Sequence, residues 1–275
     1  MNLKSFAIRS LVALVFAPLI IIAALVGGPF WLALILVIVL LSIREYRMMA
    51  QNKNTYSQLL VAAAASIYII ISFYQNKPSQ LIPVLLFTVI ISLFVELYRK
   101  KGSPTLNTAV TLFSAIYFSL LFGSFVLIRE LPKNLGLSYR SGGEWIVMMI
   151  LATWVCDTAA YVFGSYFGKH KLIERISPNK TVEGTVAGFI FAILTVYLCH
   201  IWFVHDLSLT SSLVIGFITG SFGQYGDLFE SMIKRDVGVK DSSNLIPGHG
   251  GMMDRFDSLT ISAPLVFLYL KFFVF

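Results

Sequence analysis

The residues of this chain that could do chemistry are concentrated in one segment near its C-terminal end, residues 231–257, which reads SMIKRDVGVKDSSNLIPGHGGMMDRFD. The segment combines acids, bases and glycines. Carboxylate oxygens are ligands that Mg²⁺ prefers. Arg grips phosphate with two hydrogen bonds, and Lys acts as a point charge. The pattern therefore predicts a site for a cation and a polyanionic ligand. Its titratable residues are Lys234, Arg235, Asp236, Lys240, Asp241, His249, Asp254, Arg255 and Asp257.

The acids of this region recur at a helical spacing. A helix that contains Asp227 would bring onto the same face the residues three, four and seven positions later, because side chains at this spacing are neighbours. These residues are Glu230, Ser231 and Lys234. Asp254 and Asp257 are likewise three residues apart. Two carboxylates brought together from these separate elements would make an oxygen-rich site suited to Mg²⁺.

Between the acids lies a glycine-rich turn, PGHGG, at residues 247–251. Glycines allow backbone N–H groups to approach an anion closely, as in phosphate-binding loops. By itself the turn is a weak signal because glycine-rich turns are common, and His249 alone is more often a turn-stabilising residue than a catalyst. The turn becomes informative in combination with the neighbouring acids and bases.

A second polar loop, residues 164–184, contains ISPNKTVEG just before an apolar run. It offers Ser177, Lys180 and Glu183 at the start of a predicted helix, whose N-terminal N–H groups and dipole favour an anion. Alternatively, Thr181 simply caps that helix. The local pattern leaves both interpretations open.

The sixth and eighth predicted spans contain or adjoin three acids, namely Asp157, Asp227 and Glu230. An acid at bilayer depth costs about 2.5–3.5 kcal/mol on insertion scales and therefore suggests a functional site. The alternative is that Asp157 and Asp227 lie near helix ends and face water.

The elements that must position these groups are membrane helices. Of 275 residues, 57% are hydrophobic and only 13% are charged, against about 25% charged in soluble domains. The net charge of +7 does not indicate nucleic-acid binding, because basic loops in a membrane protein mainly set its orientation. Cys156 and Cys199 lie in apolar runs and form neither a disulfide framework nor a CxxC metal motif.

We predict an all-α, polytopic helical bundle, because backbone groups in lipid must be paired within their own segment. The whole chain, 1–275, forms one membrane domain, with residues 1–130 as scaffold or oligomer contacts and residues 144–275 as the catalytic part. We expect the first apolar run to be a retained helix rather than a signal peptide. The nine predicted spans are 10–27, 29–44, 57–75, 80–98, 105–128, 144–163, 183–204, 208–229 and 257–274.

Basic residues favour an orientation with the N-terminus inside and the C-terminus outside. With nine spans, 16 of the 21 Lys and Arg residues fall in inside segments and five in outside segments, as the positive-inside rule requires. The loops 164–184 and 231–257 then face the cytoplasm, where nucleoside triphosphates are found.

The segment 231–257 resembles the signature of the phosphatidate cytidylyltransferases, also called CDP-diacylglycerol synthases, without departure. Upstream, DTAAYVFGSYFG and ISPNKTVEG resemble a second region of that family, whereas the first five predicted spans add nothing specific. The matching positions are Ser231, Ile233, Lys234, Arg235, Lys240, Asp241, Ser243, Ile246, Pro247, His249, Gly250, Gly251, Met252, Asp254, Arg255, Phe256 and Asp257.

The resemblance implies the reaction of CTP with phosphatidate to give CDP-diacylglycerol and pyrophosphate. It implies an all-helical membrane enzyme, often a homodimer, in which acids matching Asp227 and Asp254 hold Mg²⁺. We expect a bacterial inner-membrane protein whose active site faces the cytoplasm and which contacts membrane lipids and no nucleic acid. A second, monovalent cation is a further candidate cofactor.

Roles for the remaining residues follow from the resemblance and from their chemistry. Asp157 would extend the cation site, and Asp241 and Asp257 would orient its ligands or bind a second cation. Ser177 and Lys180 would contact the nucleotide or the lipid phosphate. The residues expected to neutralise the triphosphate are Lys234, Arg235, Lys240 and Arg255. The other expected substrate-binding residues are Glu183, Ser231, His249, Gly250 and Gly251.

Two other functions compete with this interpretation. A CTP-dependent lipid kinase would transfer the terminal phosphoryl group to an alcohol, but it needs a base to activate the hydroxyl, and the match at 231–257 fits the cytidylyltransferases better. A transporter or lipid scaffold could also use intramembrane acids, but the chain lacks the repeated halves of many transporters.

Overall fold

The computed structural model describes residues 3–246 and 250–275. This part of the chain is helical apart from one short β-hairpin, which confirms the all-α prediction, and each helix overlaps one predicted apolar segment. The helices are α1 (Leu3–Val26), α2 (Gly28–Gln51), α3 (Leu59–Tyr74), α4 (Leu81–Tyr98), α5 (Pro104–Leu135), α6 (Tyr139–Phe167), α7 (Val182–Trp202), α8 (Leu209–Asp236) and α9 (Met253–Tyr269). The hairpin strands are β1 (Lys171–Ile173) and β2 (Ser177–Thr181), and a π-helical turn, Leu270–Val274, follows α9.

Six of the described helices are long and apolar enough to cross a membrane, namely α2, α4, α5, α6, α7 and α9 with its π-helical extension. Helix α3 has 16 residues and is about 24 Å long, which is shorter than the hydrocarbon core of about 30 Å. The apolar described part of α1, Leu14–Val26, is also short. Helix α8 is long but interleaves Ser, Thr, Gly and Gln with its apolar residues. The predicted count of nine spans is therefore not confirmed.

The chain divides into two compact units, and the first comprises α1 up to Ala23, residues 27–127 and residues 234–255. Its core contains large buried apolar side chains such as Ile35, Ile69 and Phe118. Within this unit the turn after α2 contacts the last residue of α8. Lys53 Nζ lies 2.6 Å from Asp236 Oδ1, so α2 borders the segment that the sequence predicts to be functional.

A buried glutamate, Glu96, lies near the end of α4 in the same unit. Its carboxylate accepts hydrogen bonds from Gln58 Nε2 at 2.7 Å and from Asn107 Nδ2 at 2.9 Å, and it forms an ion pair of 3.2 Å with Arg99. This network satisfies the buried charge with donors from α3, α4 and α5 or their flanking turns.

The second unit comprises residues 24–26, 128–233 and 256–275. Its helices α6 and α7 pack closely through small residues, because a β-carbon at Gly184 would lie 2.5 Å from the Ala160 carbonyl oxygen and one at Gly188 would lie 2.8 Å from that of Cys156. Glycines four residues apart are typical of membrane helices whose backbones approach each other. This packing fixes the part of α6 that carries Asp157.

Helix α8 meets α9 in the same way. A β-carbon at Gly226 would lie 2.5 Å from the carbonyl oxygen of Asp257, so only glycine permits this approach. The contact places the chain next to Asp227 against the start of α9. Glycines on α7 thus bring α7 against α6, and Gly226 brings α8 against α9.

Candidate active site

In the first unit, the central contact of the candidate site is a buried ion pair between Lys234 and Asp254. Lys234 lies in the last turn of α8 and Asp254 in the first turn of α9. Lys234 Nζ lies 2.6 Å from Asp254 Oδ1, and the two side chains are 9% and 6% exposed. Asp254 Oδ2 accepts hydrogen bonds from the N–H of Ser242 at 2.9 Å and of Gly251 at 2.8 Å. Asp254 therefore closes the loop between α8 and α9.

The two described glycines of the PGHGG segment, Gly250 and Gly251, both lie close to Asp254. Gly250 has φ of +81°, a left-handed conformation that favours glycine, and a β-carbon there would lie 2.7 Å from Asp254 Oδ2. The Gly251 N–H donates to Asp254, so this amide stabilises the loop. His249 lies outside the described residues, and its predicted role stays a prediction.

A residue that sequence reasoning missed, Glu45 on α2, also contacts this loop. Its side chain is buried and accepts hydrogen bonds from the Oγ of Ser242 at 2.9 Å and of Ser243 at 2.7 Å. It also accepts from the N–H of Met252 at 2.8 Å and of Met253 at 3.0 Å. The sequence carries little signal for this role, because Glu45 follows the predicted span 29–44 and lies between Arg44 and Arg47, where an acid is expected at a helix end.

Three predicted residues of the first unit lie on its surface. Lys240, Asp241 and Arg255 are exposed, and within the described ranges no ion pair or side-chain hydrogen bond engages them. Arg235 is exposed as well, and its Nη1 donates to the Val239 carbonyl at 2.9 Å. Lys240 and Arg255 are therefore available to an anionic ligand.

In the second unit, Lys180 on β2 forms an ion pair with Asp227 on α8, and both side chains are about one-quarter exposed. Ser231 Oγ donates to Asp227 Oδ1 at 3.3 Å, which confirms the predicted helical face. Asp227 lies nine residues before Asp236, the last residue of α8. It does not lie at the end of its helix.

Further acids gather near Asp227. The carboxylate of Asp257 interacts electrostatically with Asp227, Glu230 and Asp157, and its Oδ1 accepts from the Ser258 N–H at 2.7 Å. Asp157 is exposed and lies ten residues before Phe167, the end of α6. Asp257 thus lies within electrostatic range of three other acids, one of which, Asp227, is paired with Lys180. In the described part of the chain, however, no three metal-binding side chains converge on one point.

The loop 164–184 folds as a β-hairpin fixed to the start of α7. Thr181 is the N-cap of α7, and its side chain accepts from the Gly184 N–H at 3.2 Å, which confirms the capping interpretation. Glu183 accepts from the N–H of Lys169 at 3.1 Å and interacts with His170 Nδ1 at 2.7 Å. Ser177 lies on β2, opposite Ile173. The hairpin thus holds β2, which presents Lys180 to Asp227.

Comparison with known proteins agrees with these features. A sequence model described as the cytidylyltransferase family matches residues 7–273. A protein of Staphylococcus aureus (strain COL) named phosphatidate cytidylyltransferase is 33% identical over 263 residues, which cover 94% of this chain and 96% of that relative. A protein of the same name from Staphylococcus saprophyticus is 43% identical over 161 residues, 57% of this chain and 62% of the relative. This chain thus belongs to the cytidylyltransferase family and is a CTP-using nucleotidyltransferase.

Proposed function

We propose that the chain is a phosphatidate cytidylyltransferase, which converts CTP and phosphatidate to CDP-diacylglycerol and pyrophosphate. The observation that carries this proposal is the similarity to the Staphylococcus aureus protein of that name along 94% of the chain. The helices that are apolar enough to cross a membrane support a lipid substrate.

The reaction suits the chemistry of the candidate site. A phosphate oxygen of phosphatidate, already ionised at neutral pH, attacks the α-phosphorus of CTP. A new P–O bond forms, the bond from the α-phosphorus to the bridging oxygen breaks, and pyrophosphate leaves. Because the nucleophile needs no deprotonation, catalysis can consist mainly of positioning and charge neutralisation. Lys240 and Arg255 would contribute the neutralising charge, since both are exposed cations with no ion pair in the described ranges.

The acids of the second unit offer carboxylate oxygens, the hard ligands that Mg²⁺ takes. No three of the described acids converge, which suits an ion that binds one or two carboxylates together with water and substrate phosphates. Asp227 would hold the ion, and Asp157 and Asp257 would add negative charge or bind a second, monovalent cation. When bound, Mg²⁺ would neutralise phosphate oxygens of CTP. The participation of Asp254 is a prediction that rests on the sequence resemblance.

We also propose nine spans with the N-terminus inside, and a site that faces the cytoplasm of a bacterial inner membrane. The distribution of Lys and Arg supports this orientation, and the bacterial relatives support the location. Homodimer formation is a further proposal. Cysteine substitutions test the orientation: Lys77→Cys should react with an impermeant thiol reagent in intact cells, and Lys101→Cys only after permeabilisation. The reverse pattern would contradict it.

Labelled CTP tests the reaction itself. The purified protein is mixed with phosphatidate and Mg²⁺ in detergent, and label from the α-phosphate should enter lipid while pyrophosphate is released. Transfer of γ-phosphate label to a lipid alcohol would instead identify a lipid kinase. Binding of CTP and lipid without release of pyrophosphate would favour a transporter or scaffold.

A further inference from the structure

We propose that Glu45 is a positioning residue of the nucleotide site. It holds the described ends of the loop between α8 and α9, at Ser242 and Ser243 and at Met252 and Met253, and so positions Asp254. The inference rests on the proposed function, because it assigns this loop to the binding of CTP phosphates. Glu45 itself lies on α2, outside the segment that resembles the family signature.

The geometry of the carboxylate is symmetric. Oε1 of Glu45 accepts from Ser243 Oγ at 2.7 Å and from the Met252 N–H at 2.8 Å. Oε2 accepts from Ser242 Oγ at 2.9 Å and from the Met253 N–H at 3.0 Å. Each oxygen therefore joins one serine at the start of the loop to one backbone amide at its end.

The start of α9 explains why a buried charge is stable at this place. Met253 is the first residue of α9, and unpaired N–H groups at a helix N-terminus favour an anion. The side chain of Glu45 is only 2% exposed, so it needs these donors to compensate for lost hydration. A β-carbon at Gly251 would lie 2.6 Å from Glu45 Oε2. The glycine at this position therefore leaves room for the carboxylate.

A shared hydroxyl connects Glu45 to Asp254. Ser242 Oγ lies 2.9 Å from Glu45 Oε2 and 2.9 Å from Asp254 Oδ2. Because a serine hydroxyl has one proton, the two carboxylates share this donor. A displacement of Glu45 would thus change the hydrogen bonding of Asp254 without any direct contact with substrate.

The substitution Glu45→Gln tests the role. Since each carboxylate oxygen accepts a backbone N–H, the new amide NH₂ must face the donor of either Met252 or Met253, and one capping bond is lost. We expect kcat/KM for CTP to fall about 10- to 100-fold, as for residues that orient ligands, while the KM for phosphatidate is unchanged. Amide hydrogen exchange at Met252 and Met253 should become faster.

Glu96→Gln is the matched control, because Glu96 is a second buried glutamate of the same unit, and its hydrogen-bond and ion-pair partners are Gln58, Asn107 and Arg99. It should keep the wild-type kinetics and the wild-type exchange at Met252. Wild-type kcat/KM in Glu45→Gln, or an equal loss in Glu96→Gln at matched amounts of folded protein, would overturn the proposal. If the wild type forms no CDP-diacylglycerol, the proposed function fails. Unchanged exchange at Met252 and Met253 in Glu45→Gln would separately overturn the role of Glu45 in holding the loop.

Discussion

Lys234 Nζ and Asp254 Oδ1 form an ion pair of 2.6 Å whose side chains are 9% and 6% exposed. The pair joins the last turn of α8 to the first turn of α9, and Asp254 also accepts hydrogen bonds from Ser242 and Gly251. A buried ion pair adds little to the free energy of unfolding when compared with a well-packed apolar pair. Removal of one partner, however, leaves a buried charge without compensation and is strongly destabilising. The pair is therefore a sensitive point of the fold as well as part of the candidate site.

The first prediction follows from this burial. Lys234→Met should lower the free energy of unfolding by about 3–5 kcal/mol, because Asp254 loses its cation in a site with little water. Thermal unfolding in detergent measures the effect. Lys240→Met is the control, since Lys240 is exposed and its removal should leave the unfolding temperature unchanged. Equal unfolding temperatures for the two variants would contradict the prediction.

The second prediction separates catalysis from stability at Asp227. Its ion pair with Lys180 is about one-quarter exposed on both sides, and such pairs contribute about 0–1 kcal/mol. Asp227→Asn should therefore stay folded, while CDP-diacylglycerol formation falls by more than about 100-fold if the carboxylate holds the metal.

Formation of CDP-diacylglycerol is measured over a range of Mg²⁺ concentrations. Asp206→Asn serves as the control. Asp206 is an exposed acid that follows the C-terminal end of α7 and accepts a hydrogen bond from Ser141. Near-normal activity of Asp227→Asn at ordinary Mg²⁺ would rule out the metal assignment.

The positions of the helices could be predicted from the sequence, because apolar runs bounded by turns are local features of the chain. The apolar run 80–98 predicts a membrane helix, and the structure has the helix Leu81–Tyr98 there. The helical face of Asp227 and Ser231, and the cap at Thr181, are likewise local. The number of spans was harder to predict, since α3 is short and α8 mixes polar with apolar residues.

Contacts between distant residues could not be predicted. Glu45 meets Ser242 across 197 positions, and no local pattern selects that partner. The hairpin was also missed, since β1 and β2 have three and five residues and are rich in polar residues rather than in the β-branched and aromatic residues typical of strands. The ion pair of Lys180 with Asp227 depends on that hairpin.

The third prediction concerns the packing of α6 on α7. A β-carbon at Gly188 would lie 2.8 Å from the Cys156 carbonyl oxygen, so Gly188→Leu must push the helices apart, at a cost of about 1–3 kcal/mol. Activity should fall too, because Asp157 follows Cys156 directly. Val186→Leu, at a position 51% exposed, should unfold like the wild type. A wild-type unfolding temperature for Gly188→Leu would show that the helices are not in close contact.

The last prediction concerns Arg255, which is exposed and has no ion pair within the described ranges. If its guanidinium binds a CTP phosphate, Arg255→Gln should raise the KM for CTP about 10-fold or more, since a hydrogen bond to a charged group contributes about 1.5–3 kcal/mol. The unfolding temperature should not change, because the exposed side chain forms no hydrogen bond or ion pair with the described residues. Arg255→Lys should give an intermediate KM for CTP, since lysine keeps the positive charge but cannot form the bidentate hydrogen bonds of the guanidinium. Initial rates at varied CTP test this, and a lower unfolding temperature with an unchanged KM would assign Arg255 to the fold instead.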